Sequence, residues 1–275
     1  MRFSHSAALL SLPSIVHGHG YQTSPRSRNF VAWKNYPQQV EYEPWSANTG
    51  GTTNPVTGIS ALCGLIKTGD IVNNYDYPKN AKGVLMPWDS QECYQPGQII
   101  DVKVKLTAHH KGHFEFFACG LTSPSDIPTK TCFDENPLMF VSEVLAANET
   151  RAPAVKDTNF TGRAYVYPYP TAPFQFVASV DHEYTYKYQL PAGLSGDYVL
   201  LQWYWVTANS CTDVGYDARP VPEGWNDPGM DSLAQCVAVP SYGVPGGGTS
   251  PEGNIYPEQG STSFNIFSLF LFLPS

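Results

Sequence analysis

A chain of 275 residues with a formal net charge of −8 and a pI near 5.3 has no basic block, which excludes the electrostatic footprint of a nucleic-acid binder. Hydrophobic residues make up 42% and aromatics 13%, enough to offset the ordering entropy of a packed core and to exclude extended disorder. With 17 Tyr, 24 Pro and 23 Gly, the composition favours short strands joined by many turns over long helices, in one large domain with appendages.

Met1–Gly18 carries a basic residue (Arg2), an apolar stretch (Ala7–Leu12), and Val16 and Gly18 at the −3 and −1 positions of a small-residue cleavage site. It reads as a signal peptide, so the mature chain is expected to start His19-Gly20-Tyr21. The apolar stretch is too short to span a membrane, and the expectation is a secreted, extracellular monomer with no stable membrane insertion. The next eighty or so residues are irregular and rich in Asn, Gly, Pro and Tyr, which predicts long loops at one end of the fold.

Ile99–Leu106 alternates Ile100, Val102, Val104 and Leu106 with polar neighbours, a half-buried strand, and His113–Cys119 reads as the next one. Tyr184–Gln189 alternates Tyr with Thr, Lys and Gln. Asp197–Val206 is a continuous apolar and aromatic run, as in a strand buried on both faces. Together these predict an all-β chain, an immunoglobulin/fibronectin-III-like antiparallel β-sandwich with long decorating loops over residues 19–240. Residues 241–275 turn Gly/Pro/Ser-rich and end in the Phe/Leu-dominated Phe264–Pro274, a segment expected to lie outside the domain.

The six cysteines (Cys63, Cys93, Cys119, Cys132, Cys211 and Cys236) contain no CxxC pair, which argues against structural zinc and for disulfides formed outside the cytosol. Their spacing does not choose among the 15 connectivities. Asn148-Glu149-Thr150 and Asn159-Phe160-Thr161 are glycosylation acceptors suited to exposed loops of a secreted glycoprotein.

His5 and His17 depart with the signal peptide, leaving His19, His109, His110, His113 and His182. An N-terminal histidine offers its α-amine and imidazole Nδ1 to one metal. A third nitrogen from a distant histidine completes a flat N3 set, which suits copper better than tetrahedral zinc. That histidine is supplied by Thr107-Ala108-His109-His110-Lys111-Gly112-His113-Phe114-Glu115-Phe116, at a turn after a strand. His113 falls on the following strand and reads as structural, and His182 as a solvated loop residue. Gln202 and Trp203 are strand neighbours, so only one of them can face a given site. No HExxH or GxSxG motif points to a hydrolase.

His19-Gly20-Tyr21 with Pro25-Arg26-Ser27-Arg28, the Thr107–Phe116 segment, and Leu201-Gln202-Trp203-Tyr204-Trp205 with Ala208-Asn209-Ser210 resemble, in order, the lytic polysaccharide monooxygenases, whose catalytic domain is also called the type-4 chitin-binding domain. The resemblance implies a copper ion (Cu2+/Cu+) in a histidine brace of His19 and His110, with Ala108 the small residue beside the open coordination position. It further implies an external electron donor, O2 or H2O2 as co-substrate, and oxidative cleavage of an insoluble polysaccharide, chitin or cellulose. His109 falls at a variable position of that pattern, and Gln202 or Glu115 is the candidate to orient the oxygen species. Tyr21, Tyr36, Tyr42 and Tyr75 are candidates for a flat binding face.

One departure stands out. Such families place an axial Tyr or Phe on a last core strand after a Gln/Glu pair and before a cysteine. Here Pro257-Glu258-Gln259 runs into Gly260 and the apolar tail, as if the final strand were missing from a truncated or mis-spliced C-terminus; a lipid-anchor signal is the rival account. Two other functions remain open, a non-catalytic carbohydrate-binding module and a copper-binding protein without turnover.

Overall fold

The computed structural model describes residues 19–35, 62, 65–68, 71–74, 77, 79, 90–109, 111–168, 182–206, 208, 212–225, 231, 233–235, 237–238, 248–249 and 269–270. The expected signal peptide, His110, Tyr36, Tyr42, Tyr75, and Cys63, Cys211 and Cys236 lie outside them.

In chain order the strands are β1 (His19–Ser24), β2 (Leu65–Thr68), β3 (Ile71–Asn74), β4 (Glu92–Cys93), β5 (Ile99–Ala108), β6 (His113–Leu121), β7 (Met139–Val144), β8 (Ala164–Tyr165), β9 (His182–Gln189), β10 (Tyr198–Val206), β11 (Val237–Ala238), β12 (Gly248–Thr249) and β13 (Leu269–Phe270). Helix α1 spans Arg28–Asn35 and α2 spans Lys130–Asp134. Two sheets face each other, one ordered β1-β5-β9-β7 and the other β4-β13-β10-β6-β8. Within the first sheet every pairing is antiparallel, as expected for the sandwich.

Alternation decides what fills the space between the sheets. Ile100, Val102, Val104 and Leu106 of β5 and Tyr184, Tyr186 and Tyr188 of β9 meet Phe114, Phe116 and Ala118 of β6 and Val199, Leu201, Trp203 and Trp205 of β10. The intervening residues Asp101 and Ile99 face solvent. Strand β10 reads as an unbroken apolar run because its other face is covered too: Leu200, Tyr204 and Val206 pack with Phe133 of α2 and with Leu62 and Phe117. A disulfide, Cys119–Cys132, staples α2 to β6, while Cys93 is a free, exposed thiol. Both sequon asparagines, Asn148 and Asn159, are exposed.

One expectation is corrected. Residues 28–35, read as loop, form a helix: Ser27 accepts the Phe30 N–H on its hydroxyl at 3.3 Å, and Val31 and Ala32 are buried. The helix is hidden from hydropathy because the polar Arg28 and Asn29 are buried on it as well. Beyond residue 240, Gly248–Thr249 runs antiparallel to Val237–Ala238. In the apolar tail, Leu269 pairs with Val199 of β10 and with Glu92 of β4, which places the two-residue β13 between those strands.

Close packing at the β6–β10 pair leaves no room at Gly120, where a Cβ would lie 1.8 Å from the Ser195 carbonyl oxygen. The obstacle is backbone and has no rotamer to yield. Gly120→Ala is expected to lose about 3 kcal/mol of stability with an unchanged urea m-value; a denaturation midpoint equal to the wild type's refutes this packing.

Candidate functional site

Strand polarity gathers the histidines at one end of the sandwich. Strand β5 ends at Ala108 where β1 begins, with His19 opposite Ala108 and Gly20 opposite Leu106. On the other side of β5, His182 at the start of β9 pairs with Leu106. The chain leaves β5 through His109, turns, and enters β6 at His113, which pairs with Val206 at the end of β10 and with Tyr165 of β8. The backbone of His19 and both flanks of His110 therefore lie at the same end.

Gly20 makes the approach of β1 possible. A Cβ on it would lie 2.7 Å from Leu106 Cδ2, 2.9 Å from the Lys105 carbonyl oxygen and 3.0 Å from Trp203 Cη2. The register shift between His19 and Gly20 swings the first residue relative to the rest of the strand. Gln22 follows facing inward and buried, whereas Tyr21 turns to the other face and packs under Phe30 of α1, ring centroids 5.0 Å apart. Tyr21 is 6% exposed and is thereby corrected from binding-face candidate to packing residue.

The turn is tightly wound. Lys111 adopts a left-handed conformation (φ 55°) and so does Gly112 (φ 83°). The Lys111 N–H donates to His109 Nδ1 at 3.1 Å, and the Lys111 carbonyl accepts the Trp205 indole N–H at 2.8 Å. The Gly112 carbonyl accepts the Val166 N–H at 2.9 Å.

His113 is fully buried, as a structural histidine should be, with Nδ1 hydrogen-bonded to the Tyr216 hydroxyl and Nε2 3.6 Å from Glu115. Glu115 also faces Arg163 at 3.4 Å, and Arg163 reaches Asp213 and the Val214 carbonyl at 2.7 Å each. Glu115 is thus a structural ion-pair partner. Gln202 stands on the outer face of β10, where its amide donates to the Leu62 carbonyl at 2.7 Å. Of the two neighbours it is Trp203 that approaches β1, a role that sequence reasoning missed because a buried indole and a buried amide look alike in an apolar run.

His182 is a strand residue and not a solvated loop residue. Its ring packs on Tyr184 at 4.4 Å, and Nε2 lies 3.6 Å from Glu149. Burial holds its pKa below the usual imidazole range despite the opposing carboxylate.

The fold and this end of it define an immunoglobulin-like sandwich with its first strand docked beside a histidine-bearing turn. The comparisons give that class a family. Residues 19–216 match the lytic polysaccharide mono-oxygenase family described as cellulose-degrading, and the chain belongs to it. A solved structure titled lytic polysaccharide monooxygenase AA15 from Thermobia domestica in the Cu(I) state is similar, with a TM-score of 0.53, 20% identity, and coverage of 91% of this chain and 98% of that one. That likeness concerns the fold. No curated protein sequence matches. The family makes this a copper-dependent, polysaccharide-oxidising monooxygenase. Among the described residues no helix is long and apolar enough to cross a membrane, and no group of three metal-ligating side chains is preassembled.

Burial alone would raise the Glu115 carboxyl, but His113 and Arg163 beside it outweigh that and hold it below the usual range. The folded chain therefore binds this proton more weakly than the unfolded chain. The stability it contributes is present above the ordinary Glu value of about 4.3 and is lost as pH falls through the lower folded value. Glu115→Gln is expected to flatten the acid side of the stability curve, measured by urea denaturation from about pH 6 to about pH 3. A variant as acid-sensitive as the wild type refutes the coupling.

Proposed function

We propose that the mature protein begins at His19 and holds copper through the His19 α-amine and imidazole together with a ring nitrogen of His110, and that this site serves oxidative cleavage of glycosidic bonds in an insoluble polysaccharide, cellulose or chitin, by a secreted enzyme. The observation that carries the reading is the pairing of His19 with Ala108, two residues before His110. The family match starts at His19, which supports cleavage after Gly18. Cellulose, named in the family's description, is the first substrate to test.

The residues fit the metal. Amine and imidazole nitrogens are donors that copper prefers, and the missing Cβ at Gly20 lets the strand that brings them lie against Leu106 and Trp203. Bound there, copper supplies the redox change that activates O2 or H2O2 with electrons from an external donor.

The protein's own part is positional. His109 spends Nδ1 on the Lys111 N–H, which leaves His110 as the proposed ligand of the turn. Ala108, a small residue at the end of β5, is proposed to leave space beside the open position. Gln202, engaged with Leu62, is not carried into the site. The α-amine is released only when residues 1–18 are removed, so processing and metal binding are linked.

Secreted protein with a verified N-terminus, titrated with Cu2+ by calorimetry and followed by EPR, is expected to bind one equivalent with an axial N3 spectrum. His110→Ala should weaken binding by on the order of 100-fold or more, since even residues that only support a ligand cost about 10–100-fold. One additional residue before His19 should have a similar effect. Copper-loaded protein with a reductant is then expected to release oxidised oligosaccharides from cellulose or chitin. Glycan binding without tight copper binding would instead establish a non-catalytic carbohydrate-binding module, and tight copper without glycan oxidation a copper carrier.

A further inference from the structure

We propose that the stacked indoles of Trp203 and Trp205 form one floor under both halves of the proposed copper site, and that Trp205 is a positioning residue whose N–H fixes the turn carrying His110. The inference rests on the His19/His110 reading above.

Trp203 and Trp205 alternate onto the inner face of β10, with rings nearly parallel at 6.0 Å and 14° and neither exposed. Phe114 stands edge-on to both, at 5.1 and 5.8 Å. The parallel neighbour and the edge-on Phe114 restrict the orientation of each indole. One ring edge of Trp203 is what Gly20 slides against, so it sets how closely the start of β1 approaches. Trp205 sends its N–H the other way, to the Lys111 carbonyl at 2.8 Å.

Lys111 is the residue of the turn that most needs holding. It is left-handed at φ 55° despite its Cβ, a conformation that persists only where the surroundings over-determine it. Both of its backbone polar groups are engaged by side chains, the N–H by His109 and the carbonyl by Trp205. In the sequence His110 stands between His109 and Lys111, and both of these neighbours are engaged. Buried tryptophans ordinarily find some acceptor for the indole N–H. The competing account is that Trp205 merely satisfies itself, and the two accounts differ in what its removal does to the metal site.

Trp205→Phe keeps apolar bulk and removes the donor. After confirming the fold of the metal-free variant by near-UV circular dichroism, the Cu2+ affinity is expected to fall by roughly 10-fold or more, with a shifted or heterogeneous Cu(II) EPR spectrum. Trp225→Phe is the control: it removes another buried indole, bonded to the Ala152 carbonyl at 2.8 Å, and should lower Tm while leaving affinity and spectrum unchanged. If wild type and Trp205→Phe share affinity and spectrum, the positioning role is overturned. If wild type binds copper no better than His110→Ala, it is the underlying site that fails. Should Trp205→Phe not fold, replacing Trp205 by its benzothiophene analogue, which keeps the bicyclic bulk and carries sulfur in place of the N–H, decides. A fall in Cu2+ affinity with an altered EPR spectrum is the expected result, and wild-type affinity and spectrum overturn the proposal.

Discussion

The antiparallel pairing of His19–Ser24 with the far end of Ile99–Ala108 governs the arrangement at the site end of the sandwich. In a strand pair a slip of one residue turns every side chain to the opposite face. Here it would move Gln22 out of the interior and push Tyr21 into it, away from its contact with Phe30. The register is therefore strongly specified by residues several positions away from His19. The fold delivers the first residue of the strand to a chosen place without asking anything of that residue's own side chain.

Rigidity at that end comes from aromatic packing and from a few buried charges that are fully engaged. Tyr184, Tyr186 and Tyr188 line one sheet and Trp203 and Trp205 the other, with Phe114 and Phe116 between them. Arg163 ties β6, the segment before β8 and the chain around Asp213 together through Glu115, Asp213 and the Val214 carbonyl. Arg151 does the same nearby with Glu143 and Glu149, under the rings of Tyr167 and Trp225. Removing one partner from such a cluster leaves a buried charge uncompensated, which costs more than the pair is worth when intact. The turn from β5 to β6 thus stands on a base with little freedom to move.

Much of this was legible in the sequence, for reasons that differ by element. The alternation in Ile99–Leu106 and Tyr184–Gln189 reports one buried face, and the unbroken run in Asp197–Val206 reports two; the structure has both patterns. His19 stood out because residues 1–18 read as a signal peptide with an expected cleavage site after Gly18. Helix α1 was not, since its buried Arg28 and Asn29 break the apolar period. The misplacement of Gln202 and His182 has a common cause. Periodicity tells that successive residues point to opposite faces, but which face carries the site depends on the partner strand, and neither Leu62 beside Gln202 nor Glu149 beside His182 is near in sequence. The β pairings across residue 240 are likewise backbone contacts between remote segments, with no side-chain pattern to announce them.

Strand β1 is paired in register with β5 from His19 onward. Strand pairing uses backbone N–H and C=O groups along β1, the steric fit of Gly20 against Trp203, and the cover that α1 gives Tyr21; none of these involves the α-amine of residue 19. The proposed removal of residues 1–18 would therefore act on a group that the pairing of β1 does not use. On the proposed reading, the interactions that place the strand and the nitrogen that processing would expose belong to different atoms of the same few residues, so the sandwich does not depend on the group proposed to bind the metal.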